Sequence, residues 1–244
     1  MSEFFLRFVP RLSPSNPPPQ GRRSDGTHYE HLISCKKSVS SCETNYYAEA
    51  PLRSETLSRA LVAIAMLSSI TGFALYNWKT FAGDASPNIT SWFLWGTITV
   101  LNFTSYKAMS GDWVKSALPT TNSLLCVTTF FFALFFGKAG ALGEYDIAVL
   151  TTGVIAAIVW WWFRSSRRAN LLVQVALSVA FIPTFISVTG DPGSEIAFSW
   201  FLWANCFFFQ TLVVVLRWKK EWAELVYPVS GFGLHLAVGV LALT

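Results

Sequence analysis

From Arg59 onward, charged residues divide the chain into seven uncharged intervals: 60–78, 85–106, 116–137, 147–163, 169–190, 196–216 and 225–244. They run from 17 to 22 residues. A hydrocarbon core of about 30 Å takes about 20 residues of helix, and lipid offers no partner to a free backbone amide, so the pattern predicts an all-α membrane protein with seven transmembrane helices. The fourth interval is the shortest. It still holds an unbroken apolar run from Ile155 to Phe163, with Asp146 and Arg164 placed to reach the two interfaces.

Composition agrees with that pattern. The chain is 52% apolar and 13% charged, against roughly 25% charged in a soluble domain, which excludes a water-facing globule. Residues 1–56 are a different material, holding 13 of the 32 charged side chains together with Pro17, Pro18 and Pro19. They read as a mostly disordered tail. Arg7, Arg11, Arg22 and Arg23 would suit a transit peptide, but Glu3, Asp25 and Glu30 favour a plain cytoplasmic tail. Phe4 to Val9 is too short for a secretory signal, and Arg7 interrupts it.

Orientation follows from the loops, because Lys and Arg are retained on the cytoplasmic side. Arg53, Arg59, Lys107, Lys115, Arg164, Arg167, Arg168, Arg217, Lys219 and Lys220 fall on one side, and only Lys79 and Lys138 on the other. The expectation is a cytoplasmic N-terminus and a C-terminus at Thr244 outside. A net charge of +4 is too small to argue for a nucleic-acid partner. Cys35 and Cys42 have neither redox nor zinc spacing, and Cys126 and Cys206 fall inside expected helices, so no disulfide, metal or cofactor is assigned.

The chain also repeats itself. Ser91-Trp92-Phe93-Leu94-Trp95 recurs unchanged as Ser199-Trp200-Phe201-Leu202-Trp203. Gly83-Asp84 precedes the first copy and Gly190-Asp191 the second, while Trp113 and Pro119 answer to Trp222 and Pro228. The organisation predicted is a tail (1–56), a three-helix unit (57–137), a linker helix (138–168) and a second three-helix unit (169–244). Three crossings and a linker bring the chain back to the same side, so the two units face the same way, related by an axis along the membrane normal. Carriers built from parallel repeats hold their solute between the units near mid-depth.

This layout of three, one and three helices resembles the SWEET and PQ-loop superfamily of small-solute facilitators over about residues 57–244. The resemblance implies that Ser91 and Trp95, Ser199 and Trp203, and Asn122 line a solute cavity, with Gly231 at the counterpart of Asn122; it also implies a homo-oligomer. The Trp-rich second helix, and Phe181-Ile182-Pro183-Thr184 ahead of Pro192 and Glu195, are similar to a group of uncharacterised bacterial integral membrane proteins, which imply no activity.

Helical geometry independently sets Ser91, Trp95 and Asn102 on one stripe, and the same offsets give Ser199, Trp203 and Gln210. A hydroxyl, an indole and an amide on each of two helices suit a small neutral, sugar-like solute. Read singly, each is more simply a packing or interhelical residue; duplication favours the cavity role for the set. Trp95 and Trp203 would lie about 12 Å into the bilayer, whereas Trp78, Trp113, Trp160, Trp161, Trp162, Trp218 and Trp222 fall at interfaces, where an aromatic belt accounts for them. No Asp or Glu lies well inside an interval, which favours passive exchange over coupled pumping. His235 is the one ionisable group at depth, a solute hydrogen-bonder or proton relay, or a neutral imidazole bonded to a neighbour. Pro183 should kink the fifth helix, with Gly72 as the first-unit candidate for a similar weak point. The sequons at Asn88 and Asn102 are expected to carry no glycan.

A rhodopsin would need a Lys in residues 225–244, where there is none. An intramembrane enzyme would need a nucleophile with its base, paired acids or metal ligands, and the intervals supply one His and no acid. The expected function is therefore a non-enzymatic, facilitative carrier. The alternative is a membrane scaffold or accessory subunit that binds a partner.

Overall fold

The computed structural model describes residues 40–83, 87, 89–137, 143–163 and 165–244. Expectations that fall on residues 1–39, Asp84, Asn88, Lys138 and Arg164 lie outside them. The chain divides into two units, Met1–Tyr46 and Tyr47–Thr244; apart from the first residues of α1, Ser40 to Tyr46, all that follows concerns the second.

The described residues form α1 (Ser40–Phe81), α2 (Ile89–Ser110), α3 (Trp113–Phe136), α4 (Glu144–Phe163), α5 (Ser166–Ala180), α6 (Ile182–Gly190), a 3-10 turn (Pro192–Ser194), α7 (Ala197–Leu216) and α8 (Ala223–Leu241). No strand occurs among them. Among the described residues five helical stretches are long and apolar enough to cross a membrane: Ser54–Phe81, Trp113–Phe136, Ser166–Gly190, Ala197–Leu216 and Ala223–Leu241. They fit an integral, multi-pass membrane protein. Intervals 85–106 and 147–163 fold as α2 and α4, which are not among these five.

Polarity is inverted relative to a soluble fold. Leu67, Leu124, Phe135, Ile158, Trp162 and Phe198 point outward, while Ser69, Asn102, Lys115, Asn170, Gln174 and Glu224 are buried. An apolar exterior around a hydrogen-bonded polar interior is what a hydrocarbon surround requires. Trp78, Trp113, Trp161, Trp218 and Trp222 are exposed, as an aromatic belt needs.

Pro183 divides the span Ser166–Gly190. Its missing N–H and the clash with the carbonyl one turn back end α5 at Ala180, and Pro183 then sits in the first turn of α6. Gly72 has no such effect, since α1 runs unbroken through it. Its role is close approach: a Cβ there would stand 2.7 Å from the Trp203 indole nitrogen. Gly231 is similar, because a Cβ would meet the Phe207 ring at 2.5 Å.

Helix α2 packs on α3, α4 and α5, and α7 packs on α8. The α2–α5 contact is a buried amide cluster in which Asn102 Oδ1 accepts from Gln174 Nε2 (2.7 Å) and Asn170 Nδ2 (3.1 Å), the latter also donating to Ser105 Oγ (3.1 Å). Burial of Asn102 leaves its sequon without access for a glycan.

Glu55 and Ser58 of α1, the α2–α3 turn and the end of α7 are clamped together. Asp112 caps α3 by accepting from the Val114 and Lys115 amides, and takes Arg217 Nε at 2.8 Å. Arg217 also pairs with Glu55 and donates to Ser58 Oγ. Burial alone would raise the Asp112 carboxyl, but the Arg217 hydrogen bond and the two amides outweigh it and hold the group below the ordinary carboxylate range. A depressed acid contributes stability above its unfolded pKa and loses it as pH falls through the folded value. Wild type should therefore melt above Asp112→Asn at pH 7, with the gap closing below about pH 4. A gap that persists undiminished at pH 3 would show that charge is not the source.

Candidate functional site

A cavity of about 620 Å³ lies among α1, α2, α3, the α5–α6 break, α7 and α8. Pro87, Gly193, Glu195 and Ile196, in the connections that precede α2 and α7, rim one end. The walls run inward to Asn102, Pro119, Asn122 and Tyr227. Asp112, Lys115, Arg217 and Glu224, at the opposite helix ends, do not line it. A volume of this size falls in the range of small-molecule sites, about 300 to 1,000 Å³.

The interior end is closed by stacked layers. Tyr106 and Tyr227 meet at 5.5 Å beside Leu118. Beyond them Lys115 Nζ donates to Glu224 Oε2 at 2.5 Å, with both side chains buried. Tyr106 donates to the Glu224 carbonyl and Gln210 Nε2 to the Lys115 carbonyl. In the sequence both charges read as ends of uncharged intervals, and Lys115 also as one of the cations that set orientation, with nothing to pair them.

Of the eight residues expected to contact solute, Ser91, Trp95, Asn102, Asn122, Trp203 and His235 line the cavity, and Ser199 and Gln210 do not. The first stripe is thus complete and the second is split. Ser199 is fully buried, and its hydroxyl has no hydrogen-bond partner among the described residues. Gln210 is spent on the Lys115 carbonyl, in the closed half. Asn122 accepts from Ser69 (2.6 Å) and donates to the Tyr227 hydroxyl (3.2 Å), which joins α1, α3 and α8. Its counterpart Gly231 carries no amide, and the Phe207 ring fills that space.

His235 sits among Phe181, Trp200, Trp203 and Phe207, with ring centroids 4.8 to 6.1 Å away. Its Nδ1 lies 2.7 Å from the Gly231 carbonyl, which can only accept, so Nδ1 carries a proton and, in the neutral imidazole, Nε2 is left as an acceptor. The bond is to its own helix, one turn back, and not to a neighbouring helix. The chain matches no family model, no curated protein and no solved structure.

Several wall residues were missed from the sequence. Trp92 and Trp200 belong to the repeated pentamer, and both line the cavity. Duplication was the available signal, but a single helical stripe through Trp95 and Trp203 left them out. Glu195 was a boundary charge ahead of an apolar run. It stands at the rim, accepts from Trp200 Nε1 at 2.9 Å, and is pushed above its ordinary pKa by burial, an effect the indole bond opposes. Among the lining residues Glu195 is the one acid, and Lys and Arg contribute none. Such a cavity can hold a small polar organic molecule and disfavours an anion, which would be desolvated with no counter-charge.

Proposed function

We propose that this chain is a facilitative carrier of a small, non-anionic solute. It works by alternating access between α1–α3 and α5–α8, joined by α4, with seven crossings and a cytoplasmic N-terminus. The observation that carries the reading is the cavity of about 620 Å³ walled by both second indoles of the duplicated pentamer, Trp95 and Trp203. A second contact supports the parallel repeat. The offset that takes Trp113 to Trp222 and Pro119 to Pro228 takes Lys115 to Glu224, 109 residues on, and these two side chains touch. Equivalent positions of two units related by a two-fold axis meet only beside that axis.

In this reading the cavity faces outward, and the Lys115–Glu224 layer is the closed cytoplasmic end. Transport swaps the open and closed ends, with the break at Phe181–Pro183 as the point that yields. The test is uptake of labelled sorbitol, glycerol, choline and acetate into proteoliposomes of purified protein. The expected result is saturable, downhill uptake of a neutral or cationic member of the set and none of acetate. Failure of all four to move, with a stable membrane partner co-purifying, would replace the carrier by the scaffold reading.

A further inference from the structure

Glu195 is joined to the cavity walls through an indole. Trp200 donates its Nε1–H to the carboxylate, and its ring stands 5.1 Å from Trp203 at 88°. Trp203 is 5.0 Å from Phe73 and 6.1 Å from Tyr76, and Tyr76 is 5.2 Å from Trp92. All of these rings line the cavity. A continuous aromatic lining therefore runs inward from one negative charge.

Two physical consequences follow. Aromatic faces carry a negative quadrupole and attract cations, most strongly where water is excluded. An indole whose N–H is bonded to a carboxylate is polarised further in that sense. A sugar would find surfaces to pack against, but it would leave Glu195 uncompensated in a partly buried position. An amino acid or other carboxylate would find no Lys or Arg on the wall. A compact cation meets both features at once.

We propose that the cavity is a cation site whose solute is a small organic cation, a quaternary ammonium or protonated amine without a carboxylate. The inference deepens the carrier reading and rests on it for transport, whereas binding can be read without transport. The test compares choline with 3,3-dimethylbutan-1-ol, which replaces the quaternary nitrogen by carbon, on the purified full chain. Calorimetric titration and thermal midpoint are measured for wild type, Glu195→Gln and Glu195→Asp.

The expected result is stabilisation by choline and not by the neutral alcohol. Choline binding should weaken about tenfold or more in Glu195→Gln, and much less in Glu195→Asp, which keeps the charge. Equal effects of choline and the alcohol, or no effect of choline on a folded wild-type protein, would overturn the inference. If choline binds as expected but no solute enters proteoliposomes, the carrier reading fails and the cation site stands. Uptake of sorbitol by protein that ignores choline does the reverse.

Discussion

Replacing Lys115 by Met should destabilise the protein by about 3 to 5 kcal/mol, and Glu224→Gln by a similar amount, because each leaves a buried charge without its partner. The pair is 2.5 Å long with side chains 0% and 2% exposed. The Lys115 and Glu224 carbonyls are taken by Gln210 and Tyr106, so the surrounding backbone is already hydrogen-bonded and cannot easily turn to rescue the survivor. The double variant Lys115→Met, Glu224→Leu should regain most of the loss, since an apolar pair of similar volume removes the desolvation cost along with the attraction. Exposed Arg59 pairs with Glu55 one turn away, and Arg59→Ala should cost under about 1 kcal/mol. Unfolding of all four variants in one detergent checks the set. Single variants no worse than Arg59→Ala would mean that water reaches the pair and that this end of the cavity is not sealed.

Helices were legible in the sequence from Arg59 onward, because a hydrocarbon surround forbids charge over a membrane-length stretch; the start of α1 was not, since it begins at Ser40, inside the charged segment that reads as a disordered tail. The break at Pro183 was legible for an equally local reason, a missing N–H. What the linear pattern hides is direction across the helix. Lys115, Glu224 and Glu195 close uncharged intervals, so they read as water-facing ends, yet the first two point inward and meet, and the third faces the cavity. The offset of the Trp and Pro matches already contained the Lys115–Glu224 correspondence, and opposite charges at equivalent positions were the available signal. Gly72 shows a different limit. A glycine inside a helix reads as a weak point, but here it makes room for a ring from a helix more than a hundred residues away, and nothing local announces that.

Trp203→Ala and Trp95→Ala, identical changes at matched positions of the repeat, should behave differently. Trp203 is 6% exposed, packs on Phe73, Tyr76, Trp200 and His235, and is seated against Gly72. Its truncation opens a void in the most aromatic part of the core and should cost about 3 to 5 kcal/mol. Trp95 is half-buried on the cavity wall and makes an edge contact with Phe181 at 5.3 Å. Its removal widens the cavity instead of hollowing the core, so beyond the area it buries it gives up one aromatic pair, about 1 kcal/mol, and should cost less than Trp203→Ala. Trp95→Ala should therefore stay folded and, under the proposed carrier function, lose uptake, while Trp203→Ala should lose expression or melt far below wild type. The comparison is made by thermal unfolding of both variants in one detergent, then uptake by whichever remains folded. Equal destabilisation would mean that the two units are more alike than the split second stripe implies, and unchanged uptake in a folded Trp95→Ala would remove that indole from the solute path.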